Sequence, residues 1–314
     1  MRTMLNRIVL TLIAAQLMFA AVNYSYDAAG RLTKVDYGSS GSINYTYDKA
    51  GNLLSRNVVS GNAAAGTITS VNTAGSEASL GIAGNTWIEI KGTNLVPAST
   101  PPAGVIWNSA PEFAQGKMPT NLQGISVTVN GKPAYVYYFC SSATSACASD
   151  QVNALTPLDA LSGSAQVIVS NNGVQTSAFS VVAKTQVPSF LRFSAAGYIA
   201  ATHLNFNLLG PVSLYPGAST PANPGEQVVL FAVGFGPPTT TLIEGSSTQS
   251  GTLATFPTCF IGSNTAAVSF AGVISPGLYQ LNVTVPNPQP SGDNTITCAY
   301  STTKPQTGAL LSVK

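Results

Sequence analysis

Histidine occurs once in this 314-residue chain, and charge is almost as scarce: Asp, Glu, Lys and Arg together make up 8 %, against a usual quarter. Each shortage removes a class of function. Any hydrolytic triad would have to use His203, which sits in Ala201-Thr202-His203-Leu204-Asn205 with no Gly-x-Ser-x-Gly elbow. It reads as a loop or strand-edge histidine. Of six Asp and five Glu, three Asp (Asp27, Asp36 and Asp48) lie in the first 57 residues. Asp150, Asp159, Glu89 and Glu112 share a later stretch without forming the carboxylate pair that glycoside cleavage uses. The chain is therefore not expected to be an enzyme. There is no Cys-x-x-Cys or Cys/His cluster for structural zinc and no calcium-loop pattern around Asp27 or Asp48. No Gly-rich turn stands between a strand and a helix to hold a nucleotide. No cofactor is expected.

Long apolar runs are also missing, except over residues 8–21, which follow Arg2 and Arg7. A basic start followed by a run shorter than the roughly 20 residues of a membrane span has the form of a secretory signal. Residues 1–21 are read as that signal, and no span beyond the leader is expected. Met18 or Phe19 falls where cleavage prefers a small residue, so an uncleaved N-terminal anchor is the alternative. Without Arg2 and Arg7 the chain carries 11 basic and 11 acidic side chains. It is neutral, with no basic patch for a phosphate backbone, and nucleic acid is not an expected partner. The expected location is secreted or cell surface.

The four cysteines, Cys140, Cys147, Cys259 and Cys298, suit an oxidising compartment. Four allow three pairings, and spacing favours Cys140–Cys147 and Cys259–Cys298. Free buried thiols are the alternative.

What the chain does have is repetition. Tyr24-Ser25-Tyr26-Asp27-Ala28-Ala29-Gly30-Arg31-Leu32 returns 21 residues later as Tyr45-Thr46-Tyr47-Asp48-Lys49-Ala50-Gly51-Asn52-Leu53. Asp opening and Gly closing each turn suit a β-hairpin. These residues and their spacing resemble the YD repeat of the RHS family, whose large members wrap many such hairpins into a shell. The resemblance covers residues 22–57. Two hairpins enclose nothing, so it implies the hairpin conformation and not encapsulation. A remnant of a longer RHS-type protein is one functional alternative. Residues 58–66, with Gly61-Asn62-Ala63-Ala64-Ala65-Gly66, read as a linker.

From Thr67 onward the pattern is all-β. Ile125-Ser126-Val127-Thr128-Val129 alternates apolar and polar residues, Asn130-Gly131 is a strong hairpin turn, and Ala134-Tyr135-Val136-Tyr137-Tyr138 resumes the alternation. The turn Asn171-Asn172-Gly173 stands between two further strands. The halves match each other. Gln151-Val152-Asn153 returns as Gln280-Leu281-Asn282, Ala134, Val136 and Tyr138 as Ala266, Val268 and Phe270, and Gly84 as Gly225 at an offset of 141. The expectation is all-β: two tandem immunoglobulin-like β-sandwiches, residues 67–186 and 187–314, behind the short hairpin segment.

Lys91-Gly92-Thr93-Asn94-Leu95, the 124–131 stretch with Ala134, and Gly277-Leu278-Tyr279-Gln280-Leu281-Asn282-Val283-Thr284-Val285-Pro286 look like the Solibacter-type uncharacterised C-terminal domain. That family closes secreted acidobacterial proteins, and its first half resembles an IPT/TIG immunoglobulin-like module. The resemblance covers about residues 67–300 and implies fold and export. The family has no established activity.

Aromatic side chains are the remaining candidates for contact. With Ala134, Val136 and Tyr138 turned to the core, Tyr135 and Tyr137 face outward, and Trp107 lies in the Pro-rich 96–119 loop. Such rings anchor protein contacts or stack on sugars; packing against a neighbouring segment is the alternative. The functional expectation is an exported, non-catalytic adhesion or scaffold protein with an unidentified protein or glycan partner. The alternative is a carbohydrate-binding accessory module using Trp107, Tyr135 and Tyr137.

Overall fold

The computed structural model describes residues 22–37, 41–60, 65–75, 80–144, 147–193 and 196–314; the leader at 1–21 and most of the Gly-Asn-Ala linker lie outside them. The chain forms two compact units that divide after Asn62. Among the described residues every regular element is a strand or a short 3-10 turn, and none is a helix long and apolar enough to cross a membrane.

The first unit is a four-stranded antiparallel sheet in chain order: β1 (Asn23–Tyr26), β2 (Leu32–Asp36), β3 (Gly41–Tyr47) and β4 (Leu53–Ser60). Its two hairpins are built alike. In each, the Asp side chain accepts the backbone N–H four residues on: Asp27 Oδ1 from Arg31 at 2.9 Å and Asp48 Oδ1 from Asn52 at 2.8 Å. Gly30 and Gly51 close the turns at φ +76° and +92°, a region that costs other residues their Cβ clearance. The register slips once per hairpin, at Ser25/Tyr26 and Thr46/Tyr47, again 21 residues apart. Hydrogen bonding to Arg31 holds the Asp27 carboxyl below the ordinary carboxylate value, and Asn52 does the same for Asp48. β4 runs to Ser60, three residues past the expected boundary, because Val58, Val59 and Ser60 still find partners in Ile43, Ser42 and Gly41.

The second unit holds two cores. The first gathers residues from Ile68 to Ala183, among them Ile88, Ile90, Val127, Val136, Phe139, Val152 and Val167. The second gathers Phe190 to Val313, among them Val228, Leu230, Tyr279, Leu281, Val283 and Ile296. Each lies between sheets made in the same way. In the first body Trp87–Thr93 pairs with Asp150–Leu155, which pairs with Lys132–Cys140. In the second, Gln227–Val233 pairs with Leu278–Thr284, which pairs with Asn264–Ser275. Lys132–Cys140 also pairs at its start with Ile125–Val129, so one strand turns the corner between sheets. Asn130 and Gly131 make the expected hairpin at φ 48° and 78°.

Register refines the match between halves. Ala154 faces Ile88 and Val283 faces Val228, so these strands correspond at an offset of 140, not the 141 read from the glycines. Both copies carry a β-bulge at the same place, between Val136 and Tyr138 and between Val268 and Phe270. In both, the Gln side chain donates to the Asn two residues on, at 2.9 Å in Gln151–Asn153 and 2.8 Å in Gln280–Asn282. These amides brace the strand.

Cys140–Cys147 and Cys259–Cys298 are both bridged. Cys259 and Cys298 face each other across adjacent strands with Cα atoms 4.1 Å apart, the close, non-hydrogen-bonded kind of antiparallel pair. Val127 and Val169 face each other at the corresponding place in the first body.

Candidate functional site

The bulge in Lys132–Cys140 decides where its aromatics go. Val136 pairs with Ala154 and Tyr138 with Asn153, so Tyr137 is the extra residue. An inserted residue reverses the alternation beyond it. Phe139, 2 % exposed, takes the core position expected of Tyr138. Tyr137 is re-aimed onto Trp87 and Trp107, with ring centroids 5.4 and 5.2 Å away in edge-to-face geometry. Trp107 stands in the short 3-10 turn Trp107–Ser109, braced by Phe113 at 5.2 Å and Trp87 at 5.4 Å. It is half-buried in this cluster and not free in its loop.

Tyr135 corrects its expectation. It is 7 % exposed, packed with Met118 and Leu155. Its hydroxyl donates to Glu244 Oε1 at 2.5 Å, while Glu244 Oε2 accepts from the Leu158 backbone N–H at 2.8 Å. Burial, with Glu244 beside it, pushes the phenol well above its ordinary pKa. Tyr135 belongs to the junction between the two bodies. The residue that covers it comes from a loop 109 positions away, out of sight of local alternation.

The second body supplies the other wall of the site. The turn Pro276-Gly277 brings the Pro276 carbonyl to the Trp87 indole N–H, which donates to it at 2.8 Å. Gly277 is at φ +63°, and a Cβ there would meet Leu155 Cδ1 at 2.3 Å and Trp87 Nε1 at 3.1 Å. Around these groups is a cavity of about 340 Å³, walled by Trp87, Trp107, Tyr137, Pro276 and Leu278, with the Asn153 amide among its few polar groups. Such a volume lies at the small end of ligand sites.

Comparison of the halves shows that the shared strand pairing forms without these aromatics. By register, Trp87 corresponds to Gln227 and the bulged Tyr137 to Ser269. In the second body that pair makes a 2.7 Å hydrogen bond, Gln227 Nε2 to Ser269 Oγ. The first body has two rings where its sister has a small polar pair. Sequence reasoning missed Trp87, because the offset of 141 set it against Val228 and only the strand register sets it against Gln227.

A larger cavity, about 400 Å³, lies beside His203, Thr220, Asn223 and Glu226. These four residues are engaged with one another. His203 Nδ1 is 2.5 Å from Glu226 Oε1, and Nε2 is 3.1 Å from the Thr220 carbonyl and 3.0 Å from its hydroxyl. Glu226 Oε2 accepts from the Asn223 backbone at 2.8 Å and from its side chain at 3.1 Å. Burial pushes the Glu226 carboxyl up, but the bonds from Asn223 and His203 prevail and hold it below its ordinary value. The arrangement pins a loop. The smaller, aromatic cavity is the better contact site because its ring surfaces are not consumed in this way.

The RHS Repeat family model matches residues 26–63, which take in most of the hairpin segment and run a few residues past its last strand. No curated protein matches the chain. A Bacteroides ovatus protein, SGBP-B of a mixed-linkage glucan utilization locus solved with a mixed-linkage heptasaccharide, aligns at 11 % identity and TM-score 0.30 over 92 % of this chain and 57 % of its own. A putative membrane anchored protein from Corynebacterium diphtheriae aligns at 14 % and 0.16 over 88 % and 65 %. The chain thus spans less than two thirds of either. At these scores neither likeness bears on the fold or ligand of this protein.

Proposed function

We propose that this is an exported, non-catalytic interaction protein, whose contact site is the cavity between Trp87, Trp107, Tyr137 and Pro276. One observation carries the reading: the aromatic pair stands where the sister body manages with Gln227 and Ser269. A cavity of about 340 Å³ with mostly apolar walls suits an apolar or aromatic side chain of a protein partner, the kind of anchor that dominates interface energy. Two disulfides and the leader-like start support work in an oxidising, extracellular or cell-surface setting. The engaged nitrogens of His203 support a role without chemistry. The shared bulge and strand pairing of the two bodies support reading them as tandem immunoglobulin-like modules of the Solibacter-type domain.

A carbohydrate ligand is the second reading, favoured by Asn153 beside two Trp and one Tyr ring. Selection from a displayed-peptide library and a glycan array, run in parallel on the wild type and on Trp107→Ala and Tyr137→Ala, separates the readings. Peptides with a shared apolar anchor, lost in both variants, are expected. Binding confined to glycans and lost in the variants would move the assignment to sugar, and binders indifferent to both variants would remove the site.

A further inference from the structure

The four-stranded sheet ends in an edge strand on each side. Among the described residues β1 pairs only with β2, and β4 only with β3. Such edges template pairing with another strand unless they are blunted by charge, proline or a cover. The two strands carry little of the first two devices: β1 has no charged residue, β4 has one, Arg56, and neither has proline. Tyr24 and Tyr26 on β1 are 57 % and 60 % exposed, and Leu54 on β4 is 66 % exposed.

The internal repeat specifies what fits. A shift of 21 residues carries β1 onto the end of β3 and β2 onto the start of β4. The β2–β3 joint is therefore a contact between the second strand of one repeat and the first strand of the next. β4 and β1 are the same two surfaces left unused. Inside the sheet Lys34 faces Asn44 and Val35 faces Ile43; moved by one repeat, these become Ser55 facing Asn23 and Arg56 facing Val22. The joint is held by Arg31 Nη1 donating to the Asp48 carbonyl at 3.0 Å, by the Arg31 guanidinium 4.9 Å from the centre of the Tyr47 ring, and by Tyr47 Oη donating to the Leu32 carbonyl at 2.9 Å. On the free edges the counterparts are Asn52, the Asp27 carbonyl, the Tyr26 ring and the Leu53 carbonyl. The Asp27 carbonyl accepts one bond from Gly30, as the Asp48 carbonyl does from Gly51, and each keeps a second lone pair.

We propose that a second copy of this chain docks on this edge, β4 of one copy pairing antiparallel with β1 of the next in the β2–β3 register. The contact is head to tail, so it extends into chains of copies unless the rotation closes a ring. Asn52 is shorter than Arg31 and lacks its charge. The joint between copies therefore misses the cation–π contact and is weaker than the joint within one.

The test uses the full chain carrying Asn23→Cys and Ser55→Cys, mildly oxidised and resolved without reductant. Within one copy these positions lie on opposite edges, which are roughly 14 Å apart at the spacing of strands, and four residues apart along the strands, so a bond between them joins copies. A ladder of dimers and higher species is expected, with peptide mapping placing positions 23 and 55 in one disulfide. The register control, Asn23→Cys with Val58→Cys, should cross-link at least tenfold less. Asn52→Arg, which restores the Arg31-type contact, should lower the concentration for half-association at least fivefold by sedimentation. A monomer at every concentration with no ladder, or Ser55→Cys alone cross-linking as well as the pair, would overturn the proposal.

Discussion

Gly277→Ala probes the junction that forms the aromatic site. Two costs are separable there. A side chain at φ +63° sits in left-handed space, at about 1–2 kcal/mol. The new Cβ would also lie 2.3 Å from Leu155 Cδ1 and 3.1 Å from Trp87 Nε1, and forcing such contacts apart typically costs about 1–3 kcal/mol. Gly131→Ala is the matched control, since it shares the conformation at φ +78° with nothing within 4 Å of the added Cβ. For a unit of this size each kcal/mol shifts Tm by about 2–4 °C. Calorimetry should then show a fall of roughly 4–20 °C for Gly277→Ala, the larger of the two, and roughly 2–8 °C for Gly131→Ala. The chain's two tryptophans both line the cavity, so only Gly277→Ala should also change the intrinsic emission of the folded protein. Equal melting of the two variants, with unchanged emission, would refute a tight Gly277–Trp87–Leu155 contact.

Three further outcomes are expected. Removing Cys259–Cys298 by paired Ser substitution should destabilise more than removing Cys140–Cys147, because the loops closed span separations of 39 and 7 residues; the chain-entropy difference is about 1.4 kcal/mol, measurable by urea melts of the two double variants. Glu226 has a lowered folded pKa, so its stabilisation is present above the ordinary glutamate value of 4.5 and is lost as pH falls through the folded value; Glu226→Gln should be less stable at neutral pH and show a flatter decline in Tm below pH 4.5. Arg31→Ala removes two of the contacts that join the two hairpins, together with the Asp27 ion pair inside the first, and should cost about 1 kcal/mol, seen as roughly fivefold faster amide exchange along β2 and β3.

Local chemistry made the strands and turns legible. Asp27 and Asp48 each organise a turn, Asn130-Gly131 takes positive φ at both positions, and Ile125–Val129 buries alternate residues as its pattern implies. The site was legible only in part. Tyr137 looks like one more step of an alternation, and only its missing partner on Asp150–Leu155 reveals the bulge. The alternation points Tyr135 outward because it cannot register the cover, Glu244, that arrives from the other body. Trp87 meets Pro276 across 189 residues, a contact that no local pattern encodes. Internal comparison reached furthest, since the repeated Gln-x-Asn strand pointed to matching halves and, with register added, exposed the Trp87/Tyr137 exchange.

The central claim is that Trp87 and Tyr137 exist for contact and not for folding. Trp87→Gln with Tyr137→Ser installs the sister body's own pair at the same place, where the glutamine amide can replace the indole N–H as donor. Titration of the double variant against a peptide selected on the wild type tests the claim most directly, with a thermal melt of the same sample. A cooperative melt with binding weakened at least a hundredfold is the expected result; unchanged binding would contradict the account.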